Sequence, residues 1–485
     1  MKWPSVKSLW DESLRVFFRF PLQVIVSIVA LLTSCFLIEH NSSHVVQEYL
    51  TRLLMVCNLT FVLLLAADLF SEVHALKTFK KWALRLFCVL AGVFLYFTLR
   101  PSMVSADLYR FILLAFAFHL LVAFVPFINK GNINGFWEYN KVLFIRILTS
   151  GLYAGVLYVG LAIAVSAVKG LFNVQINNDI YLYLLTTVGI GFTSLFFLAG
   201  VPVDFRKLNE GVHVYPKGLK IFSQYVLIPL LTIYLAILLV YEAKIIINWE
   251  FPKGMVSMLI LGYSVFGVLS LLLIHPVKDQ EGNGWMKLFA RFFYFMMIPL
   301  VVLLLLAVWE RLRNYGITEP RYILLVLAVW LTIITAYFLI SKKDNIKIIP
   351  MSLCVLALLA TYGPQSAFSV SAYSQKQRLH HLMTSTDSYA LKEKPAIIKY
   401  LVAEHGLTAL QGFTKVNLDS LEMTIKERAD RTNLSRYEVN DRMVDTAYAV
   451  LKVKEAVASS TVLAFFYAAQ PLQVKGYDYL LDVDN

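Results

Sequence analysis

Apolar residues fill the first three quarters of the chain in long runs, broken only by short polar loops, and a polar stretch of about 120 residues follows. Eleven runs predict helical spans, at roughly 21–38, 52–70, 83–99, 109–127, 149–168, 180–200, 221–246, 255–275, 291–309, 322–340 and 347–364. A bilayer core of about 30 Å takes about 20 helical residues at 1.5 Å each. The first, third and last runs are short and need flanking residues to reach across. Only helices close their own backbone hydrogen bonds in lipid, so the runs predict an all-α polytopic transmembrane bundle.

Polar and aromatic residues between the runs refine this. Residues 134–148 mix charges with Phe136, Trp137 and Tyr139, and read as an interfacial helix on the cytoplasmic side. The fifth run holds Gly151 and Gly155 in GxxxG spacing, which reads as internal bundle packing rather than a dimer face. Beyond the last run the pattern changes. A helix is expected from Pro395 to the stop at Gly406, and another after the capping pair Ser435 and Glu438. The β-branched and aromatic runs 461–468 and 474–481 read as strands. The expected architecture is therefore a transmembrane domain, 1–365, and a small C-terminal α+β domain, 366–485.

One internal similarity stands out. Runs seven and nine share Ile228-Pro229-Leu230 and Ile298-Pro299-Leu300, then Tyr241-Glu242 and Trp309-Glu310, then Pro252-Lys253 and Pro320-Arg321. This predicts a duplicated hairpin, 219–275 and 286–340, in parallel orientation. Such repeats occur in transporters, and also in proteins that transport nothing.

Composition agrees with a membrane class. The 485 residues are 58% hydrophobic, with a mean hydropathy of +0.65. The net charge of +12 does not read as a nucleic-acid footprint. Lys/Arg and Asp/Glu cancel at 14 each in 366–485, so the excess lies among membrane loops. With the N-terminus inside, cytoplasmic segments carry 21 Lys and Arg against 9 in outward loops. Eleven spans then put the C-terminal domain outside. The four cysteines all fall inside runs, which leaves no disulfide framework and no CxxC motif. The first run reads as an uncleaved span rather than a signal peptide.

Few residues suggest chemistry. His119 sits near the middle of the fourth run, as either a hydrogen-bonded structural histidine or a proton or substrate contact, with Asn58 a candidate partner at similar depth. Asp68 and Glu72 share a helix face and read as facing cytoplasmic water beside Lys77, Lys80 and Lys81. Glu242 and Glu310 end the repeated helices near Lys244, Arg311 and Arg313, and form either an outward-facing site or two interfacial salt bridges. His380, His381 and His405 lack the spacing of metal ligands. No catalytic motif, cofactor motif or metal motif is present.

Four blocks, Val214 to Leu230, Trp249 to Gly254, Tyr315 to Tyr322 and Gly363 to Val370, resemble a bacterial membrane-protein family known as domain of unknown function four-one-five-three. Tyr215, Pro216, Lys217 and Gly218 are its most specific markers here, and are expected to turn a cytoplasmic loop into the seventh span. The resemblance implies a polytopic inner-membrane protein and carries no activity. Three functions stay open: a transporter-like or channel-like bundle, a non-transporting envelope sensor or assembly factor, and a membrane enzyme on lipid-linked substrates. The bilayer is the expected partner, with a small solute or an envelope protein beside it.

The basic-residue bias makes topology testable. Alkaline phosphatase fused after Asn485 is expected to be active, and green fluorescent protein fused there dark. A bright fluorescent fusion contradicts the eleven-span count.

Overall fold

A computed structural model describes residues 6–453, apart from 40–43, 100–104, 211–214, 249–254, 279, 281–282, 342–344, 386–387 and 433–435. The described residues are helical throughout, with no strand among them. Among the described residues ten helices are long and apolar enough to cross a membrane. The eleventh run forms a helix of 14 residues, Ile348–Thr361.

The chain opens with α1 (Val6–Arg19), which no apolar run announces. Trp10, Leu14, Phe17 and Phe18 recur along one side of it and are exposed, the pattern of an interfacial helix. Then come α2 (Pro21–Glu39), α3 (His44–Val73), α4 (Thr78–Thr98) and α5 (Ser105–Phe124). The Asn132 side chain caps α6 (Ile133–Phe172) by accepting from the Gly135 amide at 2.6 Å. At 40 residues α6 is a single helix where an interfacial helix and a span are expected. Phe136, Trp137 and Tyr139 are core residues, not interfacial anchors. Their polar atoms explain how they can be buried: Trp137 donates to the Leu272 carbonyl and Tyr139 to that of Val122, both at 2.8 Å. Gly151 and Gly155 do not pack inside the bundle, since a Cβ added at either would meet nothing within 4 Å.

α7 (Asp179–Thr186) runs through a π-helical segment, Thr187–Phe192, into α8 (Thr193–Ala199). Together they pack antiparallel against α6. Gly200 follows because the Arg146 side chain from α6 lies where a Cβ would be. There Arg146 donates twice to the Phe196 carbonyl, at 2.8 and 3.1 Å. Two short helices, α9 (Phe205–Glu210) and α10 (Lys217–Phe222), precede a second π-helical segment, Ser223–Leu227. The remaining spans are α11 (Ile228–Asn248), α12 (Met255–Ile274), α13 (Gly284–Tyr315), α14 (Glu319–Ile340) and α15 (Ile348–Thr361).

The membrane helices share two main cores. One joins α2 to α6 with the end of α8, and the other joins α11 to α14. α15 is the seam: Cys354 and Ala357 belong to the first core and Ile349 to the second. At one end of α15, Lys347 donates to the Gly131 carbonyl beyond the end of α5. At the other, Tyr362 meets Thr98 at 3.2 Å and underlies the Arg110 guanidinium near the start of α5. The short helix thus runs antiparallel to α5 along most of its length.

Two buried charges beside the first core pair with each other. Asp68 and Arg85 are fully enclosed and joined by two hydrogen bonds, at 2.8 and 3.1 Å, while Gln23 donates to the same carboxylate at 2.9 Å. Asp68 therefore does not face water. Its helix neighbour Glu72 pairs with Arg19 at 2.8 Å, and Arg19 also holds the Val201 and Pro202 carbonyls. One polar network ties α1 to α4 and the turn after α8 together.

The tail continues the helical theme with α16 (Ala367–Met383), α17 (Ser388–His405), a 3-10 turn at Leu407–Phe413, α18 (Leu418–Thr432) and α19 (Arg436–Leu451). It has its own core, around Leu401, Leu407 and Leu410. α17 starts earlier than expected and carries Pro395 within it, and it stops at Gly406, whose φ of 82° suits glycine. An α+β tail is not supported, because the described part holds helices alone. The runs 461–468 and 474–481, like the Ser435 cap, lie outside the described residues.

Removing one partner of a buried ion pair leaves the other uncompensated, at about 3–5 kcal/mol. Asp68→Asn is therefore expected to destabilise the protein strongly, and Arg85→Met in the same background to recover part of the loss. Thermal unfolding in detergent, read as a double-mutant cycle, checks this.

Candidate functional site

A cavity of about 650 Å³ lies between α2, α3 and α5 on one side and the α6–α8 hairpin on the other. Its wall is mostly apolar and contains no Asp, Glu, Lys or Arg. Ser27, Asn58, His119, Asn140 and Ser194 supply the main polar groups. The wall thus brings together His119 and Asn58, the pair expected at similar depth.

The hydrogen bonds around the cavity determine what it offers. His119 Nδ1 lies 2.7 Å from the Ala115 carbonyl, which can only accept. Nδ1 therefore carries the proton, and in the neutral ring Nε2 is left as an acceptor. Asn140 donates from Nδ2 to the carbonyls of Phe136 (2.9 Å) and Ala123 (3.1 Å). Both bonds fix the amide orientation and leave Oδ1 as a second acceptor. The amide of Asn58 and the hydroxyls of Ser27 and Ser194 add groups that can donate. Such a wall suits an uncharged molecule with an apolar body and a few donors, within the volume range of small-molecule pockets.

Gly189 and Ile190, on the π-helical segment, also line this cavity. A π turn leaves the regular ladder and is often found at functional sites. The sequence Thr187-Val-Gly-Ile-Gly-Phe192 contains two glycines, which lower the cost of that departure.

The other expected residues lie elsewhere. Tyr215 stacks on Trp137 with ring centroids 5.5 Å apart, and its hydroxyl donates to the Leu273 carbonyl at 3.1 Å. Pro216 occupies the N-cap position of α10, and Lys217 and Gly218 form its first turn, just before the seventh span. Glu242 is buried on α11, and one of its carboxylate oxygens has no hydrogen-bond partner. Glu310 is half-buried and accepts from Asn314 at 2.7 Å. Neither acid forms an ion pair with Lys244, Arg311 or Arg313, and Lys253 lies outside the described residues.

A different acid forms the junction with the tail. Glu319, at the first turn of α14, is almost fully enclosed. It accepts from the Tyr400 hydroxyl and lies 3.1 Å from His405 Nε2, both on α17. Burial, with the Glu319 carboxylate beside it, pushes the Tyr400 phenol far above its ordinary range, so it stays a donor. Gln375 on α16 adds bonds to the Tyr315 and Ile317 carbonyls, at 3.1 and 2.9 Å. No sequence spacing links 319 to 400 and 405. The only hint is an acid beside Pro320 at a helix start, a place where carboxylates are common without such a role.

Comparisons with known proteins agree with this architecture. The family described as Domain of unknown function (DUF4153) matches residues 26–399, from α2 into α17. The chain belongs to that family. An uncharacterized protein of Pasteurella multocida is 28% identical over 253 residues, which cover 50% of this chain and 42% of that protein. The match spans less than half of that relative's length. No solved structure matches.

The Glu319 junction is open to test. A hydrogen bond to a charged group contributes about 1.5–3 kcal/mol. Tyr400→Phe is expected to speed amide exchange in α17 by roughly 10- to 100-fold, leaving α3 and α5 unchanged. Unaltered exchange in α17 contradicts a latch at this position.

Proposed function

We propose that this protein is a transporter-like bundle of the bacterial inner membrane that holds an uncharged, partly apolar molecule between α2, α3 and α5 and the α6–α8 hairpin. The observation that carries this reading is the uncharged cavity of about 650 Å³ with the acceptors His119 Nε2 and Asn140 Oδ1 on its wall. A buried charge in the wall would call for an ion; its lack favours a neutral ligand. The π-helical segment and its glycines give the hairpin a point of low resistance to bending beside that ligand.

In this reading the N-terminus is cytoplasmic and the tail extracytoplasmic, as the basic-residue bias supports. The hairpins 219–275 and 286–340 are the arms of a parallel repeat, and the domain boundary falls near residue 365. The tail acts as a cap over the extracytoplasmic ends of α13 and α14, held at Glu319. The same latch favours a second reading, in which the membrane part displays the tail to an envelope partner and transports nothing.

Native mass spectrometry of the protein extracted from its own membrane distinguishes these readings. A bound neutral molecule is expected at one per chain. Ser194→Trp should abolish it by filling the cavity, and His119→Leu should weaken it. Binding unaffected by Ser194→Trp contradicts the cavity as the site.

A further inference from the structure

The second core holds an acid that the cavity does not use. Glu242 lies six residues before the end of α11 at Asn248, which is about 9 Å along the helix. It is only 8% exposed, and its Oε2 is buried without a hydrogen-bond partner. α11 packs on α12 and α13. α12 contains no Asp, Glu, Lys or Arg, and faces this core with Ser257 and Tyr263, whose own hydroxyls are buried without partners. α13 brings Glu310, Arg311 and Arg313 to the same end of the bundle, and α11 itself adds Tyr241 and the exposed Lys244. Among the described residues none of these pairs with Glu242.

An ionised carboxylate in such a place has no cation beside it among the described residues to offset its desolvation. The neutral acid carries only the smaller penalty of an uncharged polar group. We propose that Glu242 is a proton-binding site, holding its proton in this conformation and exchanging it when this end of α11 opens to water. The helix has a means of opening. Its other end runs through the π-helical segment Ser223–Leu227 and then Pro229, where the regular backbone ladder is interrupted. The ligand here is the proton, and the inference does not rest on what fills the cavity.

Dicyclohexylcarbodiimide, which modifies protonated carboxyls from an apolar phase, tests this on the full-length protein in lipid nanodiscs. Peptide mapping is expected to find the adduct on Glu242, declining as pH is raised. Labelling there should exceed that of the half-buried, hydrogen-bonded Glu310. Glu242→Gln, which mimics the neutral acid, should keep the wild-type melting temperature and remove one carboxylic-acid carbonyl band from the infrared spectrum. That band, lost in Glu242→Gln, sustains the proposal even where the reagent cannot reach the site. An unmodified Glu242 together with an infrared spectrum unchanged in Glu242→Gln overturns it. Both results are read without any ligand, so they stand apart from the cavity assignment.

Discussion

In a bilayer a polar group that leaves water must find its partner inside the protein, and most of the specific features of this fold follow from that constraint. The backbone meets it by forming helices. Side chains meet it in the network of Gln23, Asp68, Arg85, Arg19 and Glu72, which holds α1 to α4 and the turn after α8 in one arrangement. An ion pair of this kind contributes little net stability compared with apolar packing, but a misplaced helix would leave a bare charge. The network therefore selects one arrangement of helices over the alternatives that interchangeable apolar surfaces would allow.

The same constraint divides the polar groups of the membrane region into two kinds. Those of the network are paired with one another, though the Gln23 Oε1 has no partner. Those around the cavity are half used: His119 and Asn140 each give their donors to carbonyls and keep an acceptor in reserve. Glu242 stands further out, with a carboxylate oxygen that nothing in the second core satisfies. Unspent hydrogen-bonding capacity in an apolar surrounding is expensive, and is kept where a ligand or a proton uses it. The core of α2 to α5, the α6–α8 hairpin and the second core of α11 to α14 then differ in what they hold: the first two line the cavity from opposite sides, and the third carries the acid.

Hydrophobic length made the spans legible, and the eleven runs correspond to ten long helices and the short α15. What it hid was which side of each helix faces protein. In lipid both sides are apolar, so the periodicity that marks a buried face in a soluble helix fades. Asp68 reads as facing water because lysines follow it, yet Arg85, just inside the third run, reaches it at 2.8 Å. Phe136, Trp137 and Tyr139 have the composition of interfacial anchors and the hydrogen bonds of core residues. That His119 and Asn58 line one cavity could be guessed from depth alone, since both lie near the middle of their runs. The Glu319 junction could not, because Tyr400 and His405 lie far along the chain in the tail.

The central claim is that the space between α2, α3 and α5 and the α6–α8 hairpin is a ligand site. Cryo-electron microscopy of the protein in nanodiscs made from its native lipids tests this most directly. The account predicts density for one elongated, uncharged molecule within reach of His119 Nε2 and Asn140 Oδ1. A cavity closed by the hairpin packing directly on α2 and α3, with no density between them, would contradict it.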